Sequence, residues 1–281
     1  MSTPNIAKLN DYELLDSGHL KKYERFGSVQ VVRTEPLALW VPEDEAAWDP
    51  DVIYTQDGRE GTWKIKRDLP NPWTLSWNKL TFRLRLASFK HVGLFPEQAV
   101  NWEYLGRELP RGASLLNLFG YTGAASIVVA QHGIEVVHVD ASKPAITAGK
   151  ENQKLSRLET ASIRWIVDDA MTFVKREARR AHLYDAILMD PPAFGRGPDG
   201  ELWQFETDLV PLLRACQAIL APRGLLLVNA YALGFPAVAI EQAVRCVFPN
   251  ASRIESIELL LRESSRRGFL LPAGVTVRAR L

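Results

Sequence analysis

The chain has 281 residues, 47% of them hydrophobic and 24% charged, which is enough apolar material for a sizeable core in one large domain or two unequal ones and argues against a disordered chain. Its 34 basic and 33 acidic residues leave a formal charge of +1, so the totals demand no polyanionic partner, and a nucleic acid would have to be met by a local patch. The two cysteines, Cys216 and Cys246, make neither a disulfide framework nor a zinc site, and there is neither a basic leader before an apolar run nor an apolar run long enough to span a bilayer; the chain is expected to be cytoplasmic, without a membrane partner and without a bound metal.

From about Tyr12 to Phe89 short alternating runs, among them Val29 to Arg33, Trp63 to Lys66 and Leu80 to Leu86, are separated by turn-forming stretches such as Pro70-Asn71-Pro72. That is the pattern of a small antiparallel β domain, expected over residues 1–90. Trp40, Trp48, Trp63, Trp73, Trp77 and, at its exit, Trp102 are expected to fill a thin β core rather than offer a base-stacking surface.

Beyond residue 110 strands alternate with helices. The periodicity predicts strands at Ser114 to Phe119, Glu135 to Asp140, Ile163 to Val167, Tyr184 to Asp190 and Leu225 to Asn229. Helices are predicted at Ala124 to His132, Pro144 to Leu155, Met171 to Ala181, Asp208 to Leu220 and Ala237 to Phe248, before a closing pair near Arg253 to Leu261 and Phe269 to Arg280. This βαβα succession implies an α/β, Rossmann-like, doubly wound sheet over 91–281, mostly parallel with an antiparallel last strand.

Four strand ends carry chemistry. In Leu116-Asn117-Leu118-Phe119-Gly120-Tyr121-Thr122-Gly123 a strand runs into a turn with two glycines and at once into a helix of small residues, so backbone can approach a ligand beside free N–H donors. At the next strand end, Asp140-Ala141-Ser142 places a carboxylate suited to the two hydroxyls of a ribose, which points to a nucleoside-containing cofactor. Asp168-Asp169-Ala170 ends the third strand, where an acid accepts either from an adenine amino group or from the first turn of the following helix; both jobs can coexist. Finally Asp190-Pro191-Pro192-Ala193-Phe194 leaves the sheet as a rigid extended segment that presents carbonyls, a carboxylate and a flat aromatic face.

Together these segments resemble the class I S-adenosylmethionine-dependent methyltransferases, and more narrowly the branch containing the bacterial large-subunit ribosomal RNA methyltransferases that act on cytosine C5 or guanine N7. That branch also has an asparagine where most class I enzymes carry an acid, matched by Asn117, and a stretch like His91-Val92-Gly93-Leu94-Phe95-Pro96-Glu97-Gln98 ahead of the catalytic domain. The likeness covers roughly residues 10 to 281 and is strongest between His91 and Tyr231. It implies that S-adenosylmethionine, or S-adenosylhomocysteine as product, lies against Phe119, Gly120, Tyr121, Thr122 and Gly123, with Asn117 in the same motif. Asp140, Ala141 and Ser142 would hold the ribose, Asp169 and Ala170 the adenine, and Phe95, Pro96 and Gln98 would cover the methionine end. Asp190, Pro191, Pro192 and Phe194 would face the methyl group and the acceptor, Asp190 touching both.

One departure bears on the acceptor. Methylation at cytosine C5 needs a thiolate to attack the ring, and the places where the family carries it read Asn229-Ala230-Tyr231 and Pro191-Pro192-Ala193. Cys216 and Cys246 lie in predicted helices and are read as packing residues. The expected activity is therefore methylation of an RNA base, in ribosomal RNA, at a nitrogen, with oxygen acceptors also open; methylation of a small molecule or a protein is the alternative. The RNA-binding module that precedes the core in some relatives is expected to be missing, since about 90 residues precede it here. Arg164, Arg179, Arg180, Arg196, Arg266 and Arg267 are candidates for a phosphate-contacting rim, against the alternative of scattered solvated charges. A nicotinamide-dependent dehydrogenase fits less well, because the turn reads G-x-x-G without the G-x-G-x-x-G spacing.

Overall fold

The computed structural model describes residues 6–57, 60–87, 90–231 and 234–281. Its contacts divide the chain into two units, Met1–Val100 with Leu260–Pro272 and Asn101–Leu259 with Ala273–Leu281. No helix among the described residues is long and apolar enough to cross a membrane.

The first unit is built on β1 (Tyr12–Gly18), β2 (Lys21–Phe26), β3 (Val29–Thr34), β4 (Val52–Asp57) and β5 (Glu60–Ile65), which form one sheet in chain order. All neighbours pair antiparallel except β3 with β4, which run parallel through Val31↔Val52 and Val32↔Ile53. A separate hairpin joins β6 (Thr74–Trp77) to β7 (Leu80–Arg83). Phe89, the expected end of this β region, lies outside the described residues. Every tryptophan here hands its indole N–H to a protein acceptor: Trp40 to the Ser17 carbonyl, Trp48 to Asp16, Trp63 to the Ala87 carbonyl, Trp73 to that of Phe26 and Trp77 to that of Lys8. Amphipathic rings satisfied in this way serve as packing.

Charge is also buried in this unit. Glu24 receives both ends of the Arg33 guanidinium at 2.7 Å and the Tyr12 hydroxyl at 2.9 Å, while Lys22 pairs with Glu35 at 3.0 Å. Buried ions persist only when paired in this manner. Glu97, in the 3-10 turn Pro96–Gln98, is fully enclosed, and burial pushes its carboxyl up to about 7 despite the nearby Lys22 and Arg33.

The second unit opens with α1 (Ala99–Glu108) and then alternates β8 (Ser114–Leu118), α2 (Ala124–Gln131), β9 (Glu135–Asp140), α3 (Lys143–Leu155), β10 (Ile163–Val167), α4 (Ala170–Arg179) and β11 (Tyr184–Met189). A short hairpin follows, β12 (Phe194–Arg196) with β13 (Leu202–Gln204), then α5 (Phe205–Gln217), β14 (Leu220–Ala230), α6 (Ala237–Val247), β15 (Arg253–Arg262) and β16 (Leu270–Arg280). Seven strands form one sheet in the order β10-β9-β8-β11-β14-β16-β15, parallel from β10 through β14, with β16 antiparallel to β14. The α/β sheet with an antiparallel late strand is as expected.

Helices cover both faces. Leu105 and Leu109 near the end of α1 pack with Val129 and Ala130 of α2 on one side, whereas Phe173 of α4, Leu209 to Cys216 of α5, and Ile240 and Val244 of α6 form the larger cluster on the other. Strands of five or six residues buried on both faces read as continuous apolar runs, which is why β8 and β11 were legible. The chain winds outward from β8 to β10 in one direction and from β11 to β14 in the other. A crevice therefore opens between the carboxyl ends of β8 and β11, where the order reverses.

Elements that differ from expectation include the parallel β3–β4 pair, α1, the β12–β13 hairpin, both ends of α5, and β14, which begins at Leu220 where a helix was expected to end. Ten residues containing Gly106 carry too little periodicity to announce α1. Strands of three residues carry almost none. The helix α5 begins at Phe205 rather than Asp208 because the Asp208 carboxylate reaches back to the Gln204 N–H at 2.7 Å and caps an earlier turn.

A candidate cofactor crevice at the sheet switch point

The turn after β8 is held by backbone in a sparsely populated conformation. Phe119, Tyr121 and Gly123 all have positive φ, at 56°, 52° and 80°, a region costly for residues with a Cβ. Three hydrogen bonds hold it: Gly120 N–H to the Val139 carbonyl at 3.1 Å, Gly123 N–H to that of Gly120 at 3.1 Å, and Ile127 N–H to that of Gly123 at 2.9 Å. Both glycines are needed for what lies beneath them. A Cβ at Gly120 would sit 2.3 Å from Cε1 of His138, and one at Gly123 would sit 2.4 Å from the Trp165 ring. The sequence attributed these glycines to ligand approach; side chains of β9 and β10 press against the same backbone.

Asn117 is buried and donates through Nδ2 to Ser126 Oγ at 2.9 Å, and the same hydroxyl shares a hydrogen bond with Nδ1 of His138, also at 2.9 Å. Burial pushes His138 down to about 3, so the ring is neutral, and it packs on Trp165 with centroids 4.5 Å apart. Asn117 thus works from beneath the turn.

Asp140, at the end of β9, accepts the Tyr121 N–H on Oδ2 and the Ser142 N–H on Oδ1, each at 2.8 Å. Burial raises its pKa and these two N–H donors pull it back. A carboxylate has about four lone-pair sites, so two acceptor positions remain beyond those two N–H groups. Ser142 caps α3 by accepting the Ala145 N–H at 3.3 Å, and Ala141 lies between the two. Asp169 caps α4, its Oδ1 accepting the Thr172 N–H at 2.8 Å, with Ala170 as the first helical residue. Its other oxygen has no hydrogen-bond partner among the described residues, and Asp168 is held by Arg176 at 2.6 Å.

Asp190 follows β11, its N–H reaching the Leu118 carbonyl at 3.3 Å, so the double-proline segment departs beside the glycine turn. Pro191 is buried, Pro192 and Ala193 are exposed, and Phe194, the first residue of β12, is 55% exposed, a large apolar ring open to solvent. The segment is pinned at two points. Trp203 of β13 donates its indole N–H to the Pro192 carbonyl at 2.7 Å, and the Phe205 N–H reaches the Ala193 carbonyl at 3.0 Å. The same Trp203 ring lies 4.9 Å from that of Phe119.

The structure thus brings Asn117, Phe119 to Gly123, Asp140 to Ser142, Asp169, Ala170 and Asp190 to Phe194 to adjoining strand ends of one sheet. Phe95, Pro96 and Gln98 belong to the first unit, where Phe95 precedes a 3-10 turn whose Gln98 N–H returns to the Phe95 carbonyl at 3.1 Å and whose neighbour His91 packs edge-on against Phe95. Cys216 is wholly buried in the core and burial pushes its thiol far up, so no thiolate forms there; Cys246 is exposed on α6. Of the arginines considered for a rim, Arg267 is locked by Glu263 and Asp16 at 2.9 Å, and Arg180 is tied to Glu177 at 2.8 Å. Sequence reasoning missed Ser126, His138, Trp165 and Trp203. Only the last gave any signal, a tryptophan in a polar loop just past the double proline.

Residues 55–260 match the family model of S-adenosylmethionine-dependent methyltransferases. A solved S-adenosylmethionine-dependent methyltransferase from Agrobacterium tumefaciens is 42% identical, with a TM-score of 0.92 over 98% of this chain and 91% of that one. A further structure, solved in complex with SAH, superposes over 98% of this chain and 76% of its own with a TM-score of 0.76, and at 18% identity that likeness concerns the fold. Among curated proteins, the ribosomal RNA large subunit methyltransferase K/L of Shewanella frigidimarina is 32% identical over 145 residues, which are 51% of this chain and 20% of that protein. The chain spans about a fifth of that relative's length.

Proposed function

The chain belongs to the S-adenosylmethionine-dependent methyltransferases, and on that premise we propose that it methylates a nitrogen of an RNA base, in large-subunit ribosomal RNA. The observation that carries this reading is the placement of the Asp190-Pro191-Pro192 segment against the glycine turn, with Phe194 exposed beside it. The curated relatives of this chain carry ribosomal RNA methyltransferase names, which supports the substrate class.

The residues present fit the cofactor. The turn at Phe119 to Gly123 opens directly into the N-terminus of α2 at Gly123, and Asp140 retains lone pairs for two ribose hydroxyls while its other two sites hold the turn. Ala141 and Ser142 continue that ribose edge, Asp169 offers its uncapped oxygen to an adenine amino group beside Ala170, and Asn117 braces the turn from below. For Phe95, Pro96 and Gln98 the proposed cover over the methionine end rests on the resemblance alone. When bound, the cofactor supplies a methyl group on a positively charged sulfur with a good leaving group already in place.

The protein's part is then chiefly alignment. Phe194 stacks on the acceptor base, and the Asp190 carboxylate with the Pro191 carbonyl accepts hydrogens from the nucleophilic nitrogen, holding its lone pair in line and taking up the proton as it is lost. The Pro192 carbonyl is engaged by Trp203, so it fixes the segment instead of the substrate. Phenolic and amino acceptors on small molecules or proteins form the second reading, favoured by the near-neutral total charge of +1.

Tritiated cofactor incubated with total RNA, protein and metabolite fractions from a strain lacking the protein separates the two. Label in large-subunit ribosomal RNA, lost with Asp190→Ala, is the expected result. Label confined to protein or metabolites overturns the RNA reading, and full turnover by Asp190→Ala overturns the role given to that carboxylate.

A further inference from the structure

At the sheet edge opposite the crevice, two copies of one tripeptide flank a cavity. Pro110-Arg111-Gly112 closes the turn between α1 and β8, and Pro222-Arg223-Gly224 forms a turn near the start of β14; both line a cavity of about 430 Å3 together with Glu108, Asp185 and Arg280. We propose that Arg111 and Arg223 form a phosphodiester-binding site that grips the RNA backbone away from the reacting base. The proposal deepens the RNA reading given above and rests on it.

The two acids of the cavity are already engaged. Glu108 holds Arg280 at 2.6 Å, and Asp185 accepts from the N–H and the hydroxyl of Ser114 at 2.8 and 2.9 Å. Neither Arg111 nor Arg223 has a hydrogen-bond or ion-pair partner among the described residues, so two guanidiniums with five donors each remain for an anion. Their placement is built. The Arg111 stem lies over Gly133, where an added Cβ would come within 2.9 Å of its Cγ, and the Gly112 N–H is bound to the Gly133 carbonyl at 2.8 Å. Arg223 sits at φ 69°, a conformation suited to glycine or asparagine, and at the following Gly224 an added Cβ would come within 2.7 Å of the Ala221 carbonyl oxygen.

Guanidinium pairs recognise phosphate through parallel N–H bonds and read no sequence. Strands of five or six residues set this edge roughly 17–20 Å from the methyl-transfer crevice, a span that a structured RNA bridges and a small metabolite does not. The site would add backbone affinity to a chain whose total charge gives none.

The test is binding of transcribed large-subunit ribosomal RNA to the full chain between 50 and 200 mM salt, as an order-of-magnitude window for phosphate contacts. It compares wild type with Arg111→Gln/Arg223→Asn and with Arg111→Lys/Arg223→Lys. The first variant is expected to bind about tenfold more weakly, with the slope of log affinity against log salt shallower by about 1.4 to 2, at unchanged cofactor affinity and melting temperature. The lysine variant should keep most of the slope. Equal slopes and affinities in wild type and the first variant overturn the site while leaving the RNA reading intact. Inorganic phosphate binding that both variants lose, without any effect on RNA, assigns the pocket to a free anion and also overturns it. Failure of the wild-type chain to bind RNA at all removes both readings.

Discussion

The Trp203 indole N–H donates to the Pro192 carbonyl at 2.7 Å while the same ring lies 4.9 Å from Phe119, so one side chain touches both the turn proposed to hold the methyl donor and the segment proposed to hold the acceptor. Replacement by phenylalanine keeps the ring and removes the donor. Trp203→Phe is therefore expected to lower the single-turnover rate by about tenfold, through misplacement of the acceptor segment, and to change the cofactor dissociation constant less than about threefold. Trp203→Leu should weaken both. A Trp203→Phe variant with an unchanged rate would show that the hydrogen bond does not orient the segment.

Asp140 links the end of β9 to the turn through two backbone N–H groups at 2.8 Å. Loss of its charge in Asp140→Asn is expected to weaken cofactor binding by about 10- to 100-fold in calorimetry, the worth of one or two charge-assisted hydrogen bonds. Burial raises this carboxyl above its ordinary 3.8. Only the ionised form accepts from both backbone donors and ribose, so affinity should fall on acidification earlier than for a free aspartate, and the asparagine variant should lack that acid limb.

No thiolate is expected to take part. With Cys216 buried and its pKa pushed up, and Cys246 out on α6, the double variant Cys216→Ala/Cys246→Ala should retain methyl transfer within about threefold, at a stability cost of about 1 kcal/mol for the small core cavity. Trapping of a covalent protein–RNA adduct that the variant abolishes would establish the C5 route instead.

Glu97 makes stability depend on pH. Its folded pKa of about 7 exceeds the ordinary 4.5, so the folded chain keeps a proton that the unfolded chain loses across that window. The contribution is most favourable below about 4.5 and declines as pH rises through about 7. Glu97→Gln should thus raise the melting temperature at pH 8 and leave it nearly unchanged at pH 4. A lower melting temperature at pH 8 would mean that the attraction of Lys22 and Arg33 outweighs burial.

At Gly123 two costs coincide, a φ of 80° and a Cβ position 2.4 Å from Trp165. Gly123→Ala is expected to lose about 2 kcal/mol or more in denaturant unfolding and to weaken cofactor binding in step. Adding Trp165→Leu should recover part of that loss, because the two residues are in contact and their effects are not additive. Strict additivity would locate the damage in the backbone conformation only.

Much of the architecture was readable from local pattern. Nearly continuous apolar runs marked β8 and β11, which are buried in the middle of the sheet, while β9 and the partly exposed edge strand β10 were marked by β-branched and aromatic residues between turn formers; acids at the ends of β9, β10 and β11 marked the crevice. The parallel β3–β4 pair, α1 and the β12–β13 hairpin were not readable, since short elements owe their conformation to neighbours distant in the chain.

The amino-acid order alone settled the βα alternation and which residue types stand at each strand end, for periodicity and capping are local properties. It left unsettled what each of those residues touches. That Gly120 yields to His138 and Gly123 to Trp165, and that Trp203 clamps Pro192, follow from side chains arriving from other strands. Close packing admits one arrangement of such neighbours, and it exists only once the sheet has assembled.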